Sequence, residues 1–143
     1  MSLIATLLAA FALSSAPDVS ALQATAADLN AEAAARAERL TDASQAQTLS
    51  PDDPVLEQLG RLSALAADHA RAIDAARGAG DLACIFRGLS ADAASWPERL
   101  DAAPDATEQA RAWREIARMA DHAERLSAEA IHSGPPAPCS ASR

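Results

Sequence analysis

Lysine and tyrosine are absent from these 143 residues, and two phenylalanines and two tryptophans supply all the large aromatic side chains. The 12 basic residues are therefore all arginine, set against 20 acidic ones for a net charge of −8. An acidic chain with no basic cluster lacks the cations that displace counterions from nucleic acid. For the same reason it is unsuited to electrostatic binding of anionic lipid. Catalytic signatures are missing as well. The sequence contains no glycine-rich phosphate loop, no His-Glu-x-x-His and no nucleophile elbow. With no Cys-x-x-Cys, a redox-active dithiol or covalent haem is not indicated.

Large apolar side chains are scarce too. Half of the residues count as hydrophobic, but 40 of the 143 are alanine. Alanine is the strongest helix former yet buries little surface. After residue 16 only 22 large apolar side chains remain, so the expected core is thin. Arginine and alanine in excess without lysine fit a GC-rich bacterial genome.

Met1 to Ala16 carry no charged side chain, and Leu3, Ile4, Leu7, Leu8, Phe11 and Leu13 form an apolar run of about 11 residues ending in Ser14-Ser15-Ala16. A bilayer span needs about 20 residues, so residues 1–16 read as a secretory signal peptide with cleavage favoured after Ala12 or Ser14. The alternative is an N-terminal helix that packs on the rest. Export makes the compartment periplasmic or extracellular, with no stable membrane span after processing.

Four helical segments are expected from residue 17 to 132. The first runs from Asp18 to Gln47, with Val19, Leu22, Ala26, Leu29, Ala33, Ala37 and Leu40 recurring at steps of three and four. Ser50-Pro51-Asp52-Asp53-Pro54 breaks the chain, with Asp53 as N-cap and Pro54 as first helical residue. The second helix, Pro54 to Arg77, has the stripe Val55, Leu59, Leu62, Ala66, His69, Ile73, Ala76 and ends at Gly78-Ala79-Gly80.

The third helix starts near Asp81 with Leu82, Ile85, Phe86, Leu89, Ala93 and Trp96 on one face. Ser95-Trp96-Pro97-Glu98 predicts a kink or restart, and Ala103-Pro104 an end. Asp105 with Glu108 makes a capping box for the fourth helix, which is read to His132 on the stripe Trp113, Ile116, Met119, Ala120, Ala123, Leu126, Ala130. Residues 133–143 form a proline-rich, non-helical tail. Long helices joined by short links give an all-α, antiparallel up-down-up-down bundle, its third helix kinked near Ser95–Pro97.

Two cysteines in an exported chain read first as a disulfide, Cys84–Cys139. In an up-down bundle the start of helix three and the end of helix four share one end. Cys84 phases away from the apolar face beside Gly88 and Ala91, leaving room for the tail. In the chain-entropy view such a loop closure stabilises by roughly 4 kcal/mol.

The histidines carry the remaining candidate chemistry. Ala67-Asp68-His69-Ala70 and Ala120-Asp121-His122-Ala123 sit at matching depths in helices two and four. One reading is a haem or metal site at His69 and His122. The other is a core histidine and a surface histidine, favoured because no carboxylate or second histidine lies three or four residues from either. His132 suits the last carbonyls of helix four. Arg111, Arg114, Arg118 and Arg125 interleave with Glu108, Glu115, Asp121 and Glu124, which suits ion pairs along the helix. Trp96 and Trp113 are expected to pack near the turn between helices three and four, or else to contact a ligand or partner.

The function expected is that of a non-enzymatic, exported helical bundle with no cofactor that binds a protein or peptide, or itself, in the cell envelope. The alternative is a haem- or metal-binding bundle.

Overall fold

The computed structural model of the chain describes residues 18–77 and 81–129. These form four helices: α1 (Val19–Thr41), α2 (Pro54–Arg77), α3 (Asp81–Asp101) and α4 (Ala106–Glu129). The expected signal peptide, the tail, His132 and Cys139 lie outside the described residues.

The starts of α1, α2 and α4 each have a capping carboxylate. Asp18 accepts from Ala21 N–H at 3.1 Å, Asp53 from Val55 N–H at 3.0 Å and Asp105 from Glu108 N–H at 2.9 Å. These carboxylates satisfy amide donors left over in the first turn. At Asp105 the expected box is half built, because the Glu108 carboxylate pairs with Arg111 at 3.1 Å.

One helix boundary needs correction. The first helix ends at Thr41, six residues before Gln47. The Gln109 side chain holds the far end of that stretch out of the helix: its Oε1 accepts from Gln47 N–H and its Nε2 donates to Gln47 C=O, both at 2.7 Å. Both Gln47 backbone groups are thus engaged across the bundle and cannot also serve a helix. Of the two forms expected for the third helix at Ser95–Pro97, a kink or a restart, the helix takes no restart. It is continuous through Pro97, and Ser95 Oγ donates back to the Asp92 carbonyl at 2.8 Å instead of capping a new turn.

The helices pack as two close pairs, α1 with α4 and α2 with α3, while α3 and α4 touch least of the neighbouring pairs. Cross-links set the directions. Arg36 near the end of α1 meets Asp53 at the start of α2, Asp74 near the end of α2 meets Arg87 in the first half of α3, and Arg99 near the end of α3 meets Glu115 in the first half of α4. Each link joins neighbours running in opposite directions, as an up-down-up-down bundle requires.

Alanine shapes the core as the composition implied. Ala26, Ala33 and Ala37 of α1 and Ala106, Ala110, Ala120 and Ala123 of α4 are all buried. Small side chains on facing helices let the axes approach closely. Trp113, Phe86, Leu22, Leu29, Leu40, Leu59, Leu62, Leu100 and Ile116 fill the rest and are fully buried. Ile85, expected inside, is 40% exposed. It lies about 100° around the helix from Phe86, at the edge of the buried stripe of α3.

Candidate functional site

Between the last turns of α3 and the first turns of α4 lies an open cleft of about 430 Å³. Trp96 and Arg99 come from α3, Pro104 from the turn, and Glu108, Arg111 and Glu115 from α4, with Ala102, Ala103 and Ala112 between them. The spacing follows from the helices. Trp96 and Arg99 are three residues apart, and Glu108, Arg111, Ala112 and Glu115 repeat at three and four, so each set falls on one face.

The charges in the cleft are mutually paired but weakly. The Arg99 guanidinium stacks over the Trp96 ring at 3.7 Å from its centroid, a cation–π geometry. Arg99 also reaches Glu115 at 3.4 Å, and Arg111 reaches Glu108 at 3.1 Å. These side chains are all more than a third exposed, so the pairs exchange readily with water or ligand. Trp96 itself is buried, and its Nε1–H has no hydrogen-bond acceptor.

A second polar cluster, across α4, is closed. Arg36 donates to both oxygens of Asp53 at 2.8 Å and through Nε to Glu32 at 2.6 Å, and its guanidinium lies 5.0 Å from the Trp113 centroid. The Arg36 bonds hold the Asp53 carboxyl below its ordinary range, with the Val55 amide assisting and partial burial opposing. Burial works against the Arg36 charge, but its two carboxylates outweigh that and raise its pKa. This cluster ties α1, the cap of α2 and α4 together; its charges are already engaged with one another.

The two histidines named from sequence do not share an interior site. His69 is 2% exposed, its Nδ1 donates to the Leu65 carbonyl at 2.9 Å, and its ring lies 5.5 Å from that of Phe86. Its Nε2 is buried without a partner. His122 is exposed on α4. Among the described residues no group of three or more His, Cys, Asp or Glu is placed to hold a metal ion.

Cys84 is half-buried on α3, and Arg87 donates to its sulfur at 3.3 Å. Arg87 also pairs with Asp74 of α2 at 2.5 Å. Gly88 and Ala91 on the same outer face are exposed, and a Cβ on Gly88 would meet nothing within 4 Å.

Of the two tryptophans, Trp96 sits at the α3–α4 turn as expected, whereas Trp113 is fully buried under Arg36 of α1. The expected ion pairs along α4 form at Arg111–Glu108 and Arg125–Asp121. Sequence reading missed the partnership of Arg99 with Trp96 and Glu115. The available signal was the three-residue step from Trp96 to Arg99 just before a proline turn, which is too common to stand out alone.

In comparisons with known proteins, no family model matches the chain, and neither a curated protein nor a solved structure gives a significant match. Among the described residues, no helix is long and apolar enough to cross a membrane.

Proposed function

We propose that this chain is a non-enzymatic, exported helical bundle that binds a protein or peptide partner in the cell envelope, and that the α3–α4 cleft is its binding surface. The observation that carries the reading is the contrast in pairing. Here alone among the described helix pairs a buried tryptophan with an unpaired N–H borders an open cleft whose arginines are only loosely engaged. Tryptophan and arginine are the side chains most enriched where binding energy concentrates. Export is read from the apolar, uncharged residues 1–16. A Cys84–Cys139 disulfide belongs to the same proposal, stapling a thin-cored bundle in an oxidising compartment.

The test is positional. A photo-crosslinking side chain replaces Ala112, in the cleft, or Ala64, exposed on α2, in the full chain produced with its leader. The proposal expects a discrete adduct in the envelope from position 112, lost on Arg99→Glu, and none from position 64. Equal labelling from both positions, or no adduct from position 112, overturns it. Two free thiols in envelope-recovered protein would remove the disulfide.

A further inference from the structure

Among the described residues, four polar side-chain atoms are buried without a hydrogen-bond partner, and all four lie on α2 or α3. They are Gln58 Oε1, His69 Nε2 and Asp74 Oδ1 on α2, and Trp96 Nε1 on α3. Neither α1 nor α4 carries one. Each buried polar group without a partner calls for an explanation. Histidine is the one side chain of the four that changes charge near neutral pH.

The His69 ring is held in its neutral form. A carbonyl oxygen only accepts, so the 2.9 Å contact of Nδ1 with Leu65 C=O places the ring hydrogen on Nδ1. Nε2 is then a bare acceptor, out of water and facing no donor. A proton added there creates a second N–H and a positive charge. The fold offers neither water nor an acceptor for it: the side chain is 2% exposed, and the Phe86 ring lies 5.5 Å away. An unpaired charge costs far more to bury than an unpaired neutral group.

Neighbouring charges do not compensate. Among the described residues α2 packs against α1 and α3, and not against α4. From α1, Asp18 is the carboxylate near enough to sense a charge on His69. It is exposed, and its Oδ1 is engaged by Ser20 Oγ at 2.6 Å and Ala21 N–H at 3.1 Å. Solvent and salt screen such a surface charge. From the first turns of α3, Asp81 and Arg87 are exposed, and Arg87 is held by Asp74 of α2. On α2 itself, Asp68 pairs with Arg71 at the surface.

We propose that His69 is a proton-operated latch on the α2–α3 seam. Neutral, it lets the seam close over Phe86. Protonated, it moves out to water, and the seam opens where α2 ends and α3 begins, while α1 and α4 stay together. The latch does not depend on what the α3–α4 cleft binds.

The direction follows from which state takes the proton. The open form binds it as an ordinary histidine, near pH 6.5, and the closed form does not. Closure is therefore complete above that pH and weakens as pH falls below it. Between pH 7.5 and pH 5.0 the opening equilibrium rises by up to about thirtyfold.

Amide hydrogen exchange of the full-length, ¹⁵N-labelled protein at these two pH values, expressed as protection factors, reads the seams separately. Protection in residues 65–77 and 81–90 is expected to fall by about ten- to thirtyfold at pH 5.0, and that in the middle of α1 and α4 by less than about threefold. His69→Leu takes up no proton and is expected to abolish the fall on α2 and α3. Should that variant not fold, the parent's own ring gives the second readout. Long-range ¹H–¹⁵N spectra are expected to keep the closed protein's His69 in the Nδ1–H form down to pH 5.0, with exposed His122 as the internal reference. A His69 ring that takes the proton while protection stays unchanged overturns the latch. So does a fall shared equally by all four helices, or an undiminished fall in His69→Leu.

Discussion

The two flanks of α4 solve the same packing problem in opposite ways. Toward α1, alanines on both helices bring the backbones close, and Arg36, Asp53 and Glu32 neutralise one another over Trp113. Toward α3 the helices stand apart, Arg99 and Arg111 hold their glutamates loosely, and Trp96 keeps a buried N–H unpaired. Both flanks contain tryptophan, arginine and carboxylate. What differs is desolvation. The Arg36–Asp53 pair has side-chain exposures of 13% and 14%, against 52% and 37% for Arg99–Glu115. A shielded pair resists exchange, and an exposed one does not. One flank is suited to stability and the other to exchange with a partner.

The comparison is most easily broken at the closed flank. Trp113→Ala is expected to cost about 3–5 kcal/mol, the range for deleting a buried aromatic side chain, read as a lower denaturant midpoint at unchanged m-value. A loss below about 1 kcal/mol would mean that the α1–α4 seam is not the tighter one. Asp53→Ala should cost about 2–4 kcal/mol, because it removes the α2 cap and half of a shielded pair whose other half stays charged.

The same pair sets a pH dependence. The folded-state pKa of Asp53 lies below its unfolded value. Its contribution is therefore complete above the unfolded pKa of about 4 and is lost as pH falls through the folded pKa. Thermal melts from pH 6 to pH 2 should show a smaller acid-induced fall in Tm for Asp53→Asn than for the parent. Parallel curves for the two would rule the linkage out.

Gln109→Ala removes two hydrogen bonds that pin Gln47, at an expected cost of about 1–2 kcal/mol. Amide exchange across residues 43–50 should accelerate with it, leaving α3 unaffected; no change there would show that another contact holds the loop. At the open flank, Arg99→Gln is expected to change stability by less than about 1 kcal/mol. A larger loss would place that arginine among the structural residues and erase the contrast.

Much of this bundle was legible from residue spacing. The caps at Asp53 and Asp105, the stripe of α2 including a buried His69, and the alanine-dominated core follow from capping preference, helix periodicity and side-chain size. Failures came where a distant side chain decided a local outcome. Nothing near Gln47 announces that Gln109, 62 residues on, will take both of its backbone groups. Ile85 belongs by phase to the border of the buried stripe, where period alone does not say which side of the border it takes.

Composition and periodicity by themselves determined that this chain would be helical, acidic and thinly cored, since helix propensity, charge and side-chain volume are properties of the residues alone. They also determined the absence of catalytic signatures and the apolar leader-like residues 1–16. Tertiary structure decided which arginine became part of the framework and which stayed available. Arg36 and Arg99 each come to lie beside a glutamate and a tryptophan ring, on their own or a facing helix. Desolvation separates them, and desolvation depends on how closely neighbouring helices approach, a distance that no local stretch of sequence specifies.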